Sequence, residues 1–535
     1  MRTTRLRLLP AFRTSLVLVA AGSAMVVLAR ALFGPFHLGI AVYSPLTAES
    51  IFAVCLLALI LTGMHGRWGE VVSPHSFRWQ PLLIGLGGIA LAFWGAQRIS
   101  FLSDDYFVVL DALRGRGANF LGALASDRGG LYCRPVAYTL LWLQAAWLGT
   151  GPLQWHLLSF ALHLVNCCLV YALALRLGLG AWTAALASAL FGVHGSRPES
   201  AVWVTGYFEL VSALFFLASL VLYLYSQGHR SKFRYVVALM CFLAAVWCKE
   251  SAYVLPAVLL IVPWKAGENW RERTRAVAPF LVIAAIAFLH RWWSLGGIGG
   301  YLDPVTGQSS AGNVSLVRLA KLTTARLWAV LIFPIDWEVR PGAVLVACLA
   351  AMLAALLYAA LSNVPRAAAA FGLCAALLGA LPASSQLLIG SDLQKSRLLY
   401  LPSIGFAILL ASLVNAVESS KMRVLIGAAL VAFHAAALQH NLSIWERVSA
   451  IAQATCSGAR RLTRDGPHEV ATVGVPGSIQ GVYFFENGLK ECLEMEHSGV
   501  WTVLKFPTVG LAQSGPGRSV LLWNEETRTL AKVAE

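Results

Sequence analysis

Charge is what this chain has least of. Only 13% of its 535 residues are Asp, Glu, Lys or Arg, against about 25% in soluble domains. With 58% hydrophobic residues and a mean hydropathy of +0.69, a soluble globular chain is excluded. Several motifs are missing as well. No His/Cys cluster has zinc spacing, no Gly-rich phosphate loop leads into a helix and no nucleophile elbow occurs. Use of a nucleotide-linked substrate is therefore unsupported. There is no repeat of about 34 residues and no low-complexity tract. Acidic residues are the scarcer charge, 26 against 41 basic, for a net +15. That excess does not point to nucleic acid, because the bases gather in short loops between apolar runs, as the positive-inside rule requires of cytoplasmic loops.

What the chain has in plenty is apolar runs long enough to cross about 30 Å of hydrocarbon. Roughly thirteen are expected, at about 17–25 residues each with some shorter. Their cores are Ser15–Phe33, Leu46–Met64, Pro81–Gln97, Leu153–Leu177, Trp182–Val193, Leu210–Tyr225, Tyr235–Cys248, Ser251–Trp264, Ala276–Trp292, Ala343–Leu361, Ala367–Leu388, Leu399–Val417 and Val424–Leu438. Basic clusters at Met1–Arg13, Arg230–Arg234, Lys265–Arg275 and Lys421–Arg423 place those loops in the cytoplasm. The N-terminus is then cytoplasmic, with its first apolar run retained as a helix, and the C-terminus lies outside. The same alternation puts Asp104, Asp105, Glu199, Lys249, Glu250, Asp336 and Arg397 on the external side. Seven of the ten cysteines fall inside apolar spans, where a small apolar role suffices. Cys133, Cys456 and Cys492 fall outside, where a Cys456–Cys492 disulfide is open.

Four regions follow. Residues 1–98 carry the N-terminal spans. Residues 99–152 form an external acidic loop with Asp104, Asp105, Asp111 and Asp127, then an interfacial helix over Pro135–Gly149. Residues 153–441 are the main membrane core, interrupted by an external loop at 294–340. Its second half, Leu316–Pro334, is amphipathic enough to lie against the membrane. Residues 442–535 alternate polar and apolar stretches between turn signals such as Pro476-Gly477 and Asn487-Gly488, which predicts a small external α+β domain. A helix near Ile444–Leu462 opens it.

Two adjacent carboxylates, Asp104-Asp105, stand a few residues after the run Pro81–Gln97. Acids at the lip of a membrane span are costly unless they face water, a metal or a substrate. The plainer alternative is a solvated helix start, since Ser103-Asp104-Asp105 also suits a first turn. Arg397 and Lys249 sit at external membrane edges, where a cation can meet a phosphate in low dielectric. Snorkelling is the alternative for Arg397, and an internal ion pair for Lys249-Glu250. Arg134 and Arg197 are weaker versions of the same idea. His156, His163 and Asn166 share one helix face, which predicts interhelical hydrogen bonding.

Local patterns then fall in a set order: Arg134-Pro135, WHLLSFALHLVN from Trp155, FGVHGSRPESAVWVTGYFEL over Phe191–Leu210, CKESAYVLP over Cys248–Pro256, LIFPIDWE over Leu331–Glu338 and RLLYLPSIGF over Arg397–Phe406. Together they resemble the GT-C superfamily of glycosyltransferases that use polyprenyl-phosphate sugars, nearest to the protein O-mannosyltransferase-like branch whose eukaryotic members carry tetratricopeptide tails. The resemblance implies an all-α polytopic membrane fold with the small C-terminal extracytoplasmic α+β domain. It implies transfer of a monosaccharide from a polyprenyl-phosphate donor to an external protein, glycan or lipid acceptor, with inversion, at a bacterial inner membrane. Asp104 is the implied base and Asp105 its support. Arg397, Lys249 and Arg134 are implied at the donor phosphate, and His194, Glu199, Glu250 and Asp336 at the substrate. No cofactor is assigned; a divalent metal stays open, with Asp104 and Asp105 as its candidate ligands. The chain departs from the family's His-Pro-x-x-x-Glu pattern, because Gly195 replaces the proline, and Tyr207 stands where arginine is frequent. Asp336-Trp337 resembles a family Asp-Trp pair. The rival classes are a transporter or flippase of lipid-linked sugars and a non-catalytic envelope assembly protein.

Overall fold

The structure, a computed structural model, describes residues 75–115, 122, 124, 131–229, 231–263, 269–300, 327–336, 364–383, 389–463, 469–496, 501–513 and 518–533. The expected spans Ser15–Phe33, Leu46–Met64 and Ala343–Leu361 lie outside these residues, as do Asp127, Trp337 and most of the 294–340 loop.

Backbone groups in hydrocarbon have no water to pair with, so apolar runs fold as helices. The chain runs through α1 (Trp79–Ala92), α2 (Asp104–Leu113), α3 (Pro135–Leu148), α4 (Pro152–Arg176), α5 (Ala181–Gly192), α6 (Tyr207–His229), α7 (Lys232–Val246), α8 (Leu255–Ile261) and α9 (Trp270–Leu295). Then come α10 (Leu327–Ile332), α11 (Arg366–Ala380), α12 (Tyr400–Asn415) and α13 (Ser420–Thr463). Among the described residues seven helical stretches are long and apolar enough to span: Trp79–Arg98, Pro152–Arg176, Val204–Gln227, Trp270–Leu295, Arg366–Ala383, Ser396–Asn415 and Ser420–Thr463. The chain is an integral membrane protein. Trp182–Val193 and Ser251–Trp264, read as spans, overlap the short apolar helices Ala181–Gly192 and Glu250–Ile261, and Tyr235–Cys248 overlaps the 15-residue α7.

Local sequence sets the helix ends. The Asn269 side chain accepts the Glu272 amide (3.1 Å) while Glu272 accepts that of Asn269 (3.4 Å), a reciprocal cap that starts α9. Arg273, one turn on, is buried rather than free in a loop. Its guanidinium donates to the carbonyls of Leu260 (3.2 Å), Val262 and Pro263 (3.3 Å), satisfying the end of α8.

Between α4 and α12 the polar face predicted from sequence bonds across helices. The His163 Nε2–H donates to the Gly192 carbonyl (3.0 Å), so its Nδ1 accepts from the Tyr400 hydroxyl (2.7 Å). Tyr400 in turn accepts from Asn166 Nδ2 (3.0 Å), and His156 donates to the Val202 carbonyl (2.7 Å). Helices α11 and α12 pack backbone to backbone. A Cβ on Gly372 would lie 2.7 Å from the Gly405 carbonyl, and one on Gly405 would collide with the Ala376 amide and the Gly372 carbonyl. Gly405→Leu is accordingly expected to cost more than the about 1–3 kcal/mol of ordinary overpacking, since backbone cannot give way. A thermal midpoint equal to wild type in detergent would contradict that packing.

Helix α13 has 44 residues and extends roughly 65 Å at about 1.5 Å per residue, twice the hydrocarbon thickness. The helix expected to open the C-terminal domain near Ile444–Leu462 is thus the C-terminal half of this long helix. Beyond it lie β1 (Glu469–Val473), β2 (Ser478–Ile479), β3 (Val482–Tyr483), α14 (Leu489–Glu496), β4 (Thr502–Phe506), α15 (Val509–Gln513), β5 (Ser519–Asn524) and β6 (Thr529–Lys532). The sheet order is β4-β1-β5-β6, with β1 parallel to β4 and β5, and β6 antiparallel to β5; β2 and β3 form a separate ladder. In register, Val470 stands opposite both Val503 and Ser519. A Cys456–Cys492 disulfide fastens α13 to α14, with Cα atoms 6.3 Å apart and 36 positions between them in sequence. Replacing both cysteines with Ala is expected to destabilise the domain by about 2–4 kcal/mol, read as a lower denaturant midpoint; an unchanged midpoint would deny the bond a structural role.

Candidate active site

The site begins at the turn into α2. Ser103 adopts φ +43°, a backbone region that favours glycine, and its hydroxyl makes no cap to the helix. The two aspartates that follow diverge. Asp105 is buried and spends both oxygens on structure: Oδ2 accepts the Leu102 amide (3.1 Å), and Oδ1 accepts the amide (3.0 Å) and hydroxyl (3.2 Å) of Thr205. It ties the start of α2 to the turn before α6. Burial pushes the Asp105 carboxyl well above the usual range. Asp104 is half-buried and borders a cavity of ≈ 350 Å³, within the range of small-molecule sites. Its carboxyl is also raised, chiefly by desolvation, against the pull of an Asn487 hydrogen bond and the Arg397 charge.

Cations from four elements line the same cavity: Arg134, Lys249, Arg291 and Arg397. Each is tethered. Arg397 donates to Glu199 and to the Tyr483 hydroxyl (3.3 Å), and its guanidinium lies over the rings of Trp203 (5.0 Å) and Tyr483 (5.4 Å). Ser396 supports Glu199 from behind (3.1 Å). Lys249 pairs with Glu209 of α6. Arg134 grips Glu250 with two bonds (3.3 and 2.8 Å), and Arg291 donates to the same carboxylate (2.7 Å). Glu250 thus sits between two guanidinium groups, one more positive charge than it can neutralise. Fixed cations of this kind stabilise a phosphate with little reorganisation.

Asp104, Arg134, Lys249, Glu250 and Arg397 therefore converge, while Asp105 lies behind the wall and Glu199 reaches the site through Arg397. His194 and Asp336 do not line this cavity. The His194 Nε2–H donates to the Leu331 carbonyl (2.9 Å), its Nδ1 accepts from Ser196 (2.8 Å), and the ring stacks on His434 at 5.0 Å. Asp336 and Glu199 border a separate, much smaller pocket, where the Asp336 amide donates to Asn441 (3.0 Å). Arg197 is buried, donating to Ser403 and to the Phe191 carbonyl (2.8 Å). Glu209 and Arg291 join the site without a motif to single them out, although an ionisable residue inside an apolar helix is itself a signal. For a metal the fit is poor: both Asp105 oxygens are taken, and among the described residues no three His, Cys, Asp or Glu side chains converge.

No family model matches the chain. Among curated proteins, the protein O-mannosyl-transferase TMTC3 of Homo sapiens is 27% identical over 189 residues, 33% of this chain and 20% of that protein. Its Mus musculus counterpart is 27% identical over 186 residues, covering 32% and 20%. The chain resembles the protein O-mannosyl-transferases. Tmtc1 of Drosophila melanogaster, also a protein O-mannosyl-transferase, is 32% identical over 112 residues, 21% of this chain and 13% of its own. The chain spans a fifth or less of the length of these relatives. Their likeness supports the GT-C recognition made from the motifs. Among solved structures, ArnT from Cupriavidus metallidurans in the apo state aligns over 83% of this chain and 93% of its own, at 13% identity and a TM-score of 0.42.

Proposed function

We propose that this protein is a GT-C-type glycosyltransferase that moves a monosaccharide from a polyprenyl-phosphate donor to an extracytoplasmic acceptor. The acceptor is a protein or an envelope glycan or lipid. The observation that carries the reading is the convergence of one half-buried carboxylate, Asp104, with Arg134, Lys249, Arg291 and Arg397 on a single cavity. The acceptor hydroxyl oxygen bonds to the anomeric carbon, the bond from that carbon to the phosphate oxygen breaks, and its electron pair leaves with the lipid phosphate. Asp104 takes the hydroxyl proton, and attack opposite the leaving group inverts the anomeric centre. Arg397, Lys249 and Arg134, with Arg291, hold the departing phosphate.

Two features favour an extracytoplasmic site. The disulfide-bonded C-terminal domain touches Asp104, and disulfides persist in oxidising compartments. Arg271 and Arg275 stand at one end of α9 and the cavity-lining Arg291 near the other, roughly 25–30 Å apart by helical rise, so the basic end falls on the opposite, cytoplasmic side. A bacterial inner membrane fits this arrangement. Purified full-length protein in nanodiscs, given a panel of polyprenyl-phosphate hexoses and an envelope extract, is expected to release polyprenyl phosphate detectable by mass spectrometry. Movement of intact donor between leaflets without release would favour a flippase instead.

A further inference from the structure

The C-terminal domain does more than cap the bundle: β3 and the segment that follows it to α14 pack against the start of α2, where Asp104 borders the cavity. The Ser103 amide donates to the Phe484 carbonyl (3.0 Å), the Asn487 amide donates to the Ser103 hydroxyl (3.3 Å), and Phe485 stacks on Tyr106 at 6.1 Å. Gly488, at φ +89°, presses so closely on the Ser103 carbonyl that a Cβ would collide with it. Lys505 donates to the carbonyls of Phe485 and Glu486 (2.7 Å each), and the disulfide anchors the following helix. From this braced strap two side chains reach the site. Tyr483 stacks on Trp203 at 4.8 Å beside Arg397, and Asn487 Nδ2 donates to Asp104 Oδ1 (2.8 Å).

We propose that Asn487 is a positioning residue for transfer: it holds Asp104 by Oδ1, leaves Oδ2 for the acceptor's proton, and makes the C-terminal domain part of the active site. This rests on the transferase reading. A hydrogen bond to the ionised carboxylate favours the form a base needs. Other charged groups surround Asp104. Arg397, Lys249–Glu209, Arg134, Arg291 and Glu250 face it across the cavity, Asp105 and Asp111 share its helix, and Glu486 lies on the strap. Beyond the inner end of α2, Arg114 pairs with Glu494 of α14, beside Lys490 and Glu491.

Asn487→Asp separates positioning from a merely structural role, because Asp suits the turn before glycine as well as Asn does while replacing the donor with a second carboxylate. Turnover at neutral pH is expected to fall by roughly tenfold or more. The acidic limb of the rate profile moves to higher pH, and KM for the donor changes little. Wild-type turnover with an unmoved limb in Asn487→Asp, while Asp104→Asn is inactive, would overturn the Asn487 assignment alone. An active Asp104→Asn would overturn the reading of Asp104 as base. Independently of any donor, the protonated Asp104 carboxyl band, isolated in pH-difference infrared spectra by subtracting Asp104→Asn, should persist to higher pH in Asn487→Ala. An unchanged midpoint there would also overturn the assignment.

Discussion

Asp104→Asn is expected to lower turnover by about 10²–10⁴-fold, the usual contribution of a positioned general base, with little change in thermal midpoint. Asparagine keeps the size of the side chain and an oxygen that can still accept from Asn487, so the wall of the cavity stays closed. What it loses is the ability to take a proton. The pH dependence of the wild type follows from the same carboxyl. Burial raises its pKa, and only the ionised form acts as base. The rate should therefore fall as pH drops through a limb that lies above the ordinary carboxylate range, and that limb should vanish with the variant's residual activity. Initial rates of polyprenyl phosphate release across pH in nanodiscs measure both effects. Equal rates for the two proteins would remove Asp104 from the chemistry.

The second large effect is expected at Glu250. Its carboxylate holds Arg134 and Arg291 together, and the side chains of the two arginines are only 10% exposed. Glu250→Ala leaves two guanidinium groups side by side without a counter-ion. Breaking a buried pair by removing one partner costs about 3–5 kcal/mol, with the lower end expected here because Glu250 is itself partly open to the cavity. Adding Arg291→Met should recover part of the loss, since it removes the stranded charge and keeps an apolar side chain of similar reach. Thermal midpoints of wild type, single and double variants in one detergent give the comparison. A single variant as stable as wild type would mean that the arginines are not held by Glu250.

Much of the membrane architecture was legible because apolar length is written directly in the sequence, as at Leu153–Leu177, which matches Pro152–Arg176. The break expected at residue 441 is not a change of element, because one helix runs through it from Ser420 to Thr463. The sequence turns polar there, but nothing in Gln439-His440-Asn441-Leu442 breaks a helix. At the site, Asp104, Lys249, Arg134 and Arg397 stood out as charges beside apolar runs. Arg291 was hidden inside the run Ala276–Trp292, and Glu209, just before Leu210, was passed over. Asn487 could not be found at all, because its turn signal explains its presence locally and its partner lies 383 positions away. His194 and Asp336 entered by resemblance to a motif, and such resemblance does not specify where a side chain ends up: Asp336 borders the smaller pocket and His194 borders neither.

The measurement closest to the central claim is an experimental structure of the full-length Asp104→Asn protein with a polyprenyl-phosphate hexose bound. The account predicts the phosphate within hydrogen-bond reach of Arg397 and the Arg134–Arg291 pair, with the sugar's anomeric carbon turned toward residue 104 and the strap at 482–488 in place. A donor seated elsewhere, with this cavity empty or its anomeric carbon facing away from residue 104, would contradict it.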